Sequence, residues 1–173
     1  ANVPADPSIT KGLRFISGLS AFSVTKLIGV SSVKLTMAVS NIRPKDVLRQ
    51  SAELGLASIY VPEAHGGSGL SRLDATLVFE ALAMGCPSVS SFLSIHNMVA
   101  WMVSSFGSDE LRETYLADLC TMHKIGSYCL TEPGSGSDAA ALKTKAVRTN
   151  EGYQVTGTKS FISGGNYSDL YIV

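Results

Sequence analysis

The sequence predicts an α+β fold: an all-helical N-terminal domain followed by a truncated, β-barrel-like middle domain. Three observations predict it. Between residues 41 and 124, apolar residues recur at three- and four-residue spacing between helix start and stop signals. After Lys124 the period changes, and runs such as "KTKAVRTN" and "GYQVTGTKSFI" favour strands. Of the 173 residues, 45% are hydrophobic, enough to build a core and to set aside global disorder. The organisation expected is an atypical segment over residues 1–40, a helical domain over 41–124 and a partial β domain over 125–173.

Each element has its own signal. "RPKDVLRQSAELG" places Pro44 in a first helical turn and Gly55 just past the last, with Val47, Leu48, Ala52 and Leu54 as its apolar face. The short apolar run "LASIYVP" then leads into "EAHGGSG", a loop by its glycines. Ser71 and Asp74 form an S-x-x-D box, in which each side chain satisfies a free backbone N–H. Leu73, Leu77, Ala81 and Met84 follow at helical spacing until Gly85 and Pro87 end that helix. "SSFLSIHNMVAWMVSSFG" is apolar nearly all round, which predicts a helix buried on most sides and closed by Gly107. "SDELRETYLADLC" starts afresh with Ser108 as N-cap and Asp109 and Glu110 against the positive helix end. Beyond it, "IGSYCLT", "KTKAVRTN", "GYQVTGTKSFI" and "DLYIV" read as strands, with residues 150–152 as a tight hairpin connection. The last run stops while strand edges are unpaired, so the expectation is a fragment of a longer protein.

The first forty residues are the least legible. Residues 11–40 carry Lys11, Arg14, Lys26 and Lys34 with serines and no acid, the composition of a mitochondrial transit peptide. An ordinary amphipathic strand pair fits them as well.

Charge and cysteine usage narrow the partners. Lysine plus arginine equal aspartate plus glutamate at 14 each, so no overall field draws nucleic acid or an anionic membrane. No apolar run approaches the ~20 residues of a membrane span. Cys86, Cys120 and Cys129 are odd in number and lack CxxC spacing. They read as small buried residues in a reducing compartment, with no metal site.

The stretch "YCLTEPGSGSD", Tyr128 to Asp138, carries the functional question. Gly134, Gly136 and Ala139 fit G-x-G-x-x-A, but a dinucleotide turn needs a crossover helix of at least ~10–12 residues, and strands begin almost at once. A hydrolase elbow needs G-x-S-x-G, which flanks neither Ser135 nor Ser137, and His65, His96 and His123 have no marked acid partner. A third reading is main-chain recognition of a ligand, with hydroxyls from Thr131, Ser135 and Ser137 and glycines allowing close approach. A plain polar turn between strands stands beside it.

"CLTEPGSGSDAAA", Cys129 to Ala141, resembles the first flavin-site motif of the acyl-CoA dehydrogenase family at every constrained position. "GTKSFISGG", Gly157 to Gly165, resembles that family's second flavin segment, in the right order and at the right distance. "LASIYVPEAHGGSGLSRLDATLVFEALAMGC" resembles its first helical domain. The resemblance covers roughly residues 41–173. Residues 11–40 depart from it, since the family has an acid-rich amphipathic helix there.

The resemblance implies an FAD-dependent oxidoreductase that dehydrogenates an acyl-CoA between its α and β carbons. The implied substrate is a short branched chain such as isobutyryl-CoA, from valine breakdown in the mitochondrial matrix. It implies electron transfer to an electron-transferring flavoprotein and a homotetrameric parent enzyme. Cofactor-binding positions carried over are Tyr128, Cys129, Leu130, Thr131, Gly136, Ser137, Phe161, Ile162 and Ser163. Leu130 and Thr131 would meet the pyrimidine side of the flavin, Phe161 its face, and Ser163 its N5. Ser137, Ser94 and Met98 would meet the acyl-CoA. The family's catalytic glutamate belongs to a C-terminal helical domain beyond these residues, so no base is assigned. Glu132 and Glu80 are present, but nothing in their setting aims either at a substrate carbon. The alternatives are a non-catalytic flavin- or CoA-binding module and a truncated product acting only through full-length subunits.

Overall fold

The computed structural model describes residues 44–150 and 152–173, with two short antiparallel strands, β1 (Phe22–Ser23) and β2 (Lys34–Leu35). The remaining expectations for residues 1–40, and Glu151 of the hairpin connection, lie outside the described residues. Among the described residues, four helices precede a small strand-containing region, an α+β arrangement.

Helix α1 (Pro44–Glu53) opens on Pro44 and is left through Gly55, whose φ of 76° lets its N–H close on the Ala52 carbonyl. Leu48 is fully buried, with Val47 and Ala52 packed beside it. Leu54, expected on the same face, is 76% exposed, because the chain leaves the helical period after Glu53. The run after it forms turns in which Ser58, Ile59 and Val61 carbonyls hold the N–H groups of Ser68, Leu70 and Gly69.

Helix α2 (Arg72–Gly85) has the predicted capping box, with the Ser71 and Asp74 side chains each bonded to the other's main chain. Its apolar face is a correction. Leu73, Leu77, Ala81 and Met84 look outward, while Ala75, Phe79 and Leu82 look inward. The helix is apolar on two sides, and packing chose between them: the Ser90 hydroxyl donates to the Phe79 carbonyl at 2.7 Å and fixes which side meets the next helix.

That helix, α3 (Pro87–Phe106), buries ten of its twenty residues and is the centre of the fold, as its all-round apolarity predicts. Helix α4 (Asp109–Cys120) starts on Ser108, whose hydroxyl accepts the Leu111 N–H. Leu48, Phe92, Leu93, Met122 and Ile125 make one core cluster, and Val61, Val99, Val103, Leu116 and Leu119 a second.

Beyond the helices, strands pair two by two among the described residues, without the closure a full barrel would have. β3 (Gly126–Tyr128) pairs in parallel with β6 (Leu170–Ile172), and β4 (Lys145–Thr149) forms a hairpin with β5 (Gly152–Thr156). Two expected strands are shorter than read. The run "IGSYCLT" is a strand only over Gly126–Tyr128, and residues 157–163 are not a strand. Side-chain bonds replace the ladder there, and they build the site described next.

Candidate functional site

The segment after β3 and the segment after β5 lie side by side. Cys129 extends the β3 ladder by one bond, its N–H donating to the Ile172 carbonyl at 2.7 Å. From there the pattern changes. The Leu130 carbonyl accepts from the Lys159 ammonium at 2.9 Å, and the Thr131 carbonyl accepts the Ser160 N–H at 2.8 Å. Beneath them the buried Cys129 and Ile162 side chains pack together.

Lys159 and Glu132 form a buried ion pair at 3.0 Å, with side chains only 5% and 6% exposed. Such a pair needs every remaining hydrogen-bond position filled to offset its desolvation. Glu132 meets that need by accepting the N–H groups of Lys143 at 2.7 Å and Thr144 at 2.9 Å. The neighbouring Thr144 hydroxyl, the Lys143 N–H and the Lys159 ammonium together hold the carboxyl well below its ordinary range, at about 2. That hydroxyl lies beside the carboxylate yet closes no regular hydrogen bond among the described residues. A carboxylate so fully engaged is a poor proton acceptor, so Glu132 has the chemistry of a structural anion. Glu80 lies exposed on α2.

The main chain of the same residue ties down the glycine-rich turn. Glu132 and Ser135 exchange main-chain bonds at 2.9 and 3.1 Å, and the Ser135 hydroxyl donates to the Asp138 carbonyl. Gly136 and Ser137 sit exposed on the turn's outer side. Burial pushes the Cys129 thiol up, an effect that the positive charge of Lys159 partly offsets.

The second segment presents an aromatic ring. Phe161 has φ of 57°, a left-handed conformation that is uncommon for a bulky residue, and its side chain is 79% exposed. Behind it, the Ser127 hydroxyl donates to the Ser163 carbonyl and lies 2.6 Å from the Ser168 hydroxyl. Gly164, at φ of 81°, leaves that knot room: a Cβ there would fall 2.7 Å from the Ser127 oxygen.

Cys129, Leu130, Thr131, Phe161, Ile162 and Ser163 are thus brought together. Tyr128 is the last residue of β3, and its ring packs on the second helical cluster. Ser94 and Met98 lie one turn apart on a half-buried stripe of α3, where the Ser94 hydroxyl donates to the Ser91 carbonyl at 2.8 Å. No hydrogen bond or core cluster joins them to the paired segments among the described residues. Reading the sequence missed Lys159, Ser160 and Ser127. Nothing local to the sequence marked Lys159, which stands between Thr158 and Ser160 and whose partner Glu132 lies 27 residues away. Among the described residues no cluster of three or more His, Cys, Asp or Glu could hold a metal, and no helix is long and apolar enough to cross a membrane.

Two family profiles match the chain: "Acyl-CoA dehydrogenase, N-terminal domain" over residues 31–123 and "Acyl-CoA dehydrogenase, middle domain" over residues 127–173. Mitochondrial isobutyryl-CoA dehydrogenases of Bos taurus and Dictyostelium discoideum are each 54% identical over 130 residues, 75% of this chain and 31% of theirs. The chain therefore spans about a third of these relatives' length. Among solved structures, glutaryl-CoA dehydrogenase from Mycobacterium smegmatis superposes with a TM-score of 0.71 at 30% identity, over 77% of this chain and 34% of that one. An acyl-CoA dehydrogenase from Bacillus anthracis complexed with FAD gives 0.67 at 35% identity, over 75% and 22%. With both profiles in chain order, and with relatives this similar, the chain belongs to the acyl-CoA dehydrogenase family.

Proposed function

We propose that this chain supplies the flavin-binding wall of an FAD-dependent dehydrogenase of short branched acyl-CoA thioesters, with isobutyryl-CoA as the preferred substrate. The observation that carries the reading is the lateral joining of Leu130–Thr131 to the Phe161 segment through Lys159 and Ser160.

The residues present fit the cofactor. The main-chain N–H groups of Leu130 and Thr131 and the hydroxyls of Thr131 and Ser163 have no acceptor or donor partner among the described residues. Half-buried donors of this kind suit the heteroatom edge of a flat ring. The exposed Phe161 ring, held at a strained φ, suits its face. When bound, FAD supplies the hydride acceptor for the substrate's β-carbon. The chain's own part is to orient: Leu130 and Thr131 direct N–H donors toward charge that develops on the ring, Phe161 and Ile162 exclude water, and Ser163 offers its hydroxyl. Gly136 leaves the turn open for close approach, and Ser137 on the same turn reaches the acyl-CoA, with Ser94 and Met98 lining the acyl end.

The choice of isobutyryl-CoA, valine breakdown and the mitochondrial matrix is supported by the names of the two relatives at 54% identity. Transfer of electrons to an electron-transferring flavoprotein and a homotetrameric parent enzyme follow from family membership in the same way. The domain limits that go with the reading are 41–124 and 125–173.

By itself the chain binds without turning over, since Glu132 is engaged by Lys159 and two N–H groups. That favours, as second reading, a non-catalytic flavin- and CoA-binding module. An absorbance spectrum of the purified chain, repeated with isobutyryl-CoA, tests both. Bound-flavin bands that persist with substrate support binding without a base. Bands that bleach would mean a base acts here after all, and a colourless protein in the presence of FAD would overturn the flavin reading.

A further inference from the structure

Lys159 does more than neutralise Glu132. Its ammonium also donates to the Leu130 carbonyl at 2.9 Å. That carbonyl and the Thr131 N–H belong to one peptide unit. A trans peptide is planar, so its N–H points opposite to its C=O; no cis peptide bond occurs among the described residues. A cation on the carbonyl side therefore fixes the direction of the Thr131 N–H, away from the buried pair. It also draws electron density toward the carbonyl oxygen, which makes the N–H a stronger donor. The next carbonyl, that of Thr131, is held by the Ser160 N–H at 2.8 Å, so the unit is gripped from both ends by consecutive residues of the second segment.

The Glu132 carboxylate, in turn, places the lysine. With two main-chain N–H groups and the ammonium on it, the carboxylate is fixed, and Lys159 at 5% exposure has no other charged partner among the described residues. We propose that Lys159 is a positioning residue for the cofactor. Through the Leu130 carbonyl it aims and strengthens the Thr131 N–H as a flavin donor, with Glu132 as the anchor that keeps it there. The inference rests on the flavin reading above and names the group that tunes it.

The test uses the whole chain in four forms: parent, Lys159→Met, Glu132→Gln, and the double variant. FAD is titrated into each by quenching of flavin fluorescence, the reduction potential of the bound flavin is measured, and the Thr131 amide resonance is recorded without FAD. Lys159→Met is expected to weaken FAD binding about tenfold, the scale of one charge-assisted hydrogen bond. It should also lower the flavin potential and move the Thr131 resonance. Because that variant strands a buried carboxylate, the double variant is the deciding one. It removes both charges, and it should show the same weakened binding and lowered potential while remaining folded. Glu132→Gln keeps the ammonium and should change binding less than Lys159→Met. A folded double variant that binds FAD like the parent, with the Thr131 resonance in place, overturns the inference and leaves the flavin reading standing. A parent chain that takes up no FAD removes the flavin reading, and the inference with it.

Discussion

His96 Nδ1 accepts the main-chain N–H of Gly126 at 3.1 Å, joining the centre of α3 to the first residue of β3. The opposite ring nitrogen faces the Leu119 carbonyl at 2.9 Å. A carbonyl only accepts and an N–H only donates, so the ring is neutral with its proton on Nε2. A second proton would set Nδ1–H against Gly126 N–H in a fully buried place.

A pH dependence follows. Burial depresses the His96 pKa to about 4, partly offset by the bond to Leu119. Between its ordinary value near 6.5 and 4, the unfolded chain binds a proton that the folded chain refuses. Stability is therefore complete above pH 6.5 and declines as pH falls, by about 3 kcal/mol at pH 4. Glu132 acts in a lower window: its depressed carboxyl pKa contributes stability above about 4.5 that is lost as pH falls toward 2. Urea unfolding across pH 4–7 reads the histidine part, and the decline should flatten in His96→Gln, which has no proton to take up.

Gly126 itself admits no side chain. A Cβ there would lie 2.4 Å from Val99 Cγ1 and 2.9 Å from Val99 Cβ, inside contact distance of a fully buried residue. Gly126→Ala should force β3 off α3 and cost roughly 1–3 kcal/mol. A lowered denaturant midpoint with unchanged m-value is the expected result.

Asn97, one position along α3, holds the loop before α2. Its Oδ1 accepts the Ile59 N–H at 2.6 Å, and its Nδ2 donates to the carbonyls of Leu56 and Leu93 at 2.8 and 2.9 Å. Asn97→Ala leaves the buried Ile59 N–H unsatisfied and removes the donor to the Leu56 carbonyl, a loss of about 1–3 kcal/mol in unfolding free energy. Hydrogen exchange should locate the damage in residues 56–61.

Phe161 should behave in the opposite way. Its ring is 79% exposed, so Phe161→Ala is expected to leave the melting temperature of the chain without FAD within a degree or two. FAD titration should show binding about tenfold weaker, the loss of one aromatic stacking contact. Equal affinity in the two proteins would remove Phe161 from the site.

Much of the local structure was legible. Helix ends at Gly55, Ser71 and Ser108 lie where short-range chemistry puts them, because a cap involves residues three or four apart. The two flavin-like segments were legible for a similar reason: each is a continuous string whose residue types suffice to mark it. The inward side of α2 was not legible, since Leu73–Leu77 and Ala75–Phe79 are equally good helical spacings. Packing of Phe79 and Leu82 on the core, together with the Ser90 bond to the Phe79 carbonyl, decides between them.

By itself, then, the sequence determined the α+β class, most helix ends and the residue types of the two segments proposed to hold the cofactor. Those depend on periodicity, caps and contiguous motifs. Only the tertiary structure decided that residues 157–163 leave strand geometry, that Lys159 meets Glu132, and that its ammonium lands on the Leu130 carbonyl. The physical reason is distance along the chain. Lys159 and Glu132 stand 27 residues apart, and burying an ammonium there is favourable only once the fold has brought to it a carboxylate, itself held by two N–H groups, and the Leu130 carbonyl.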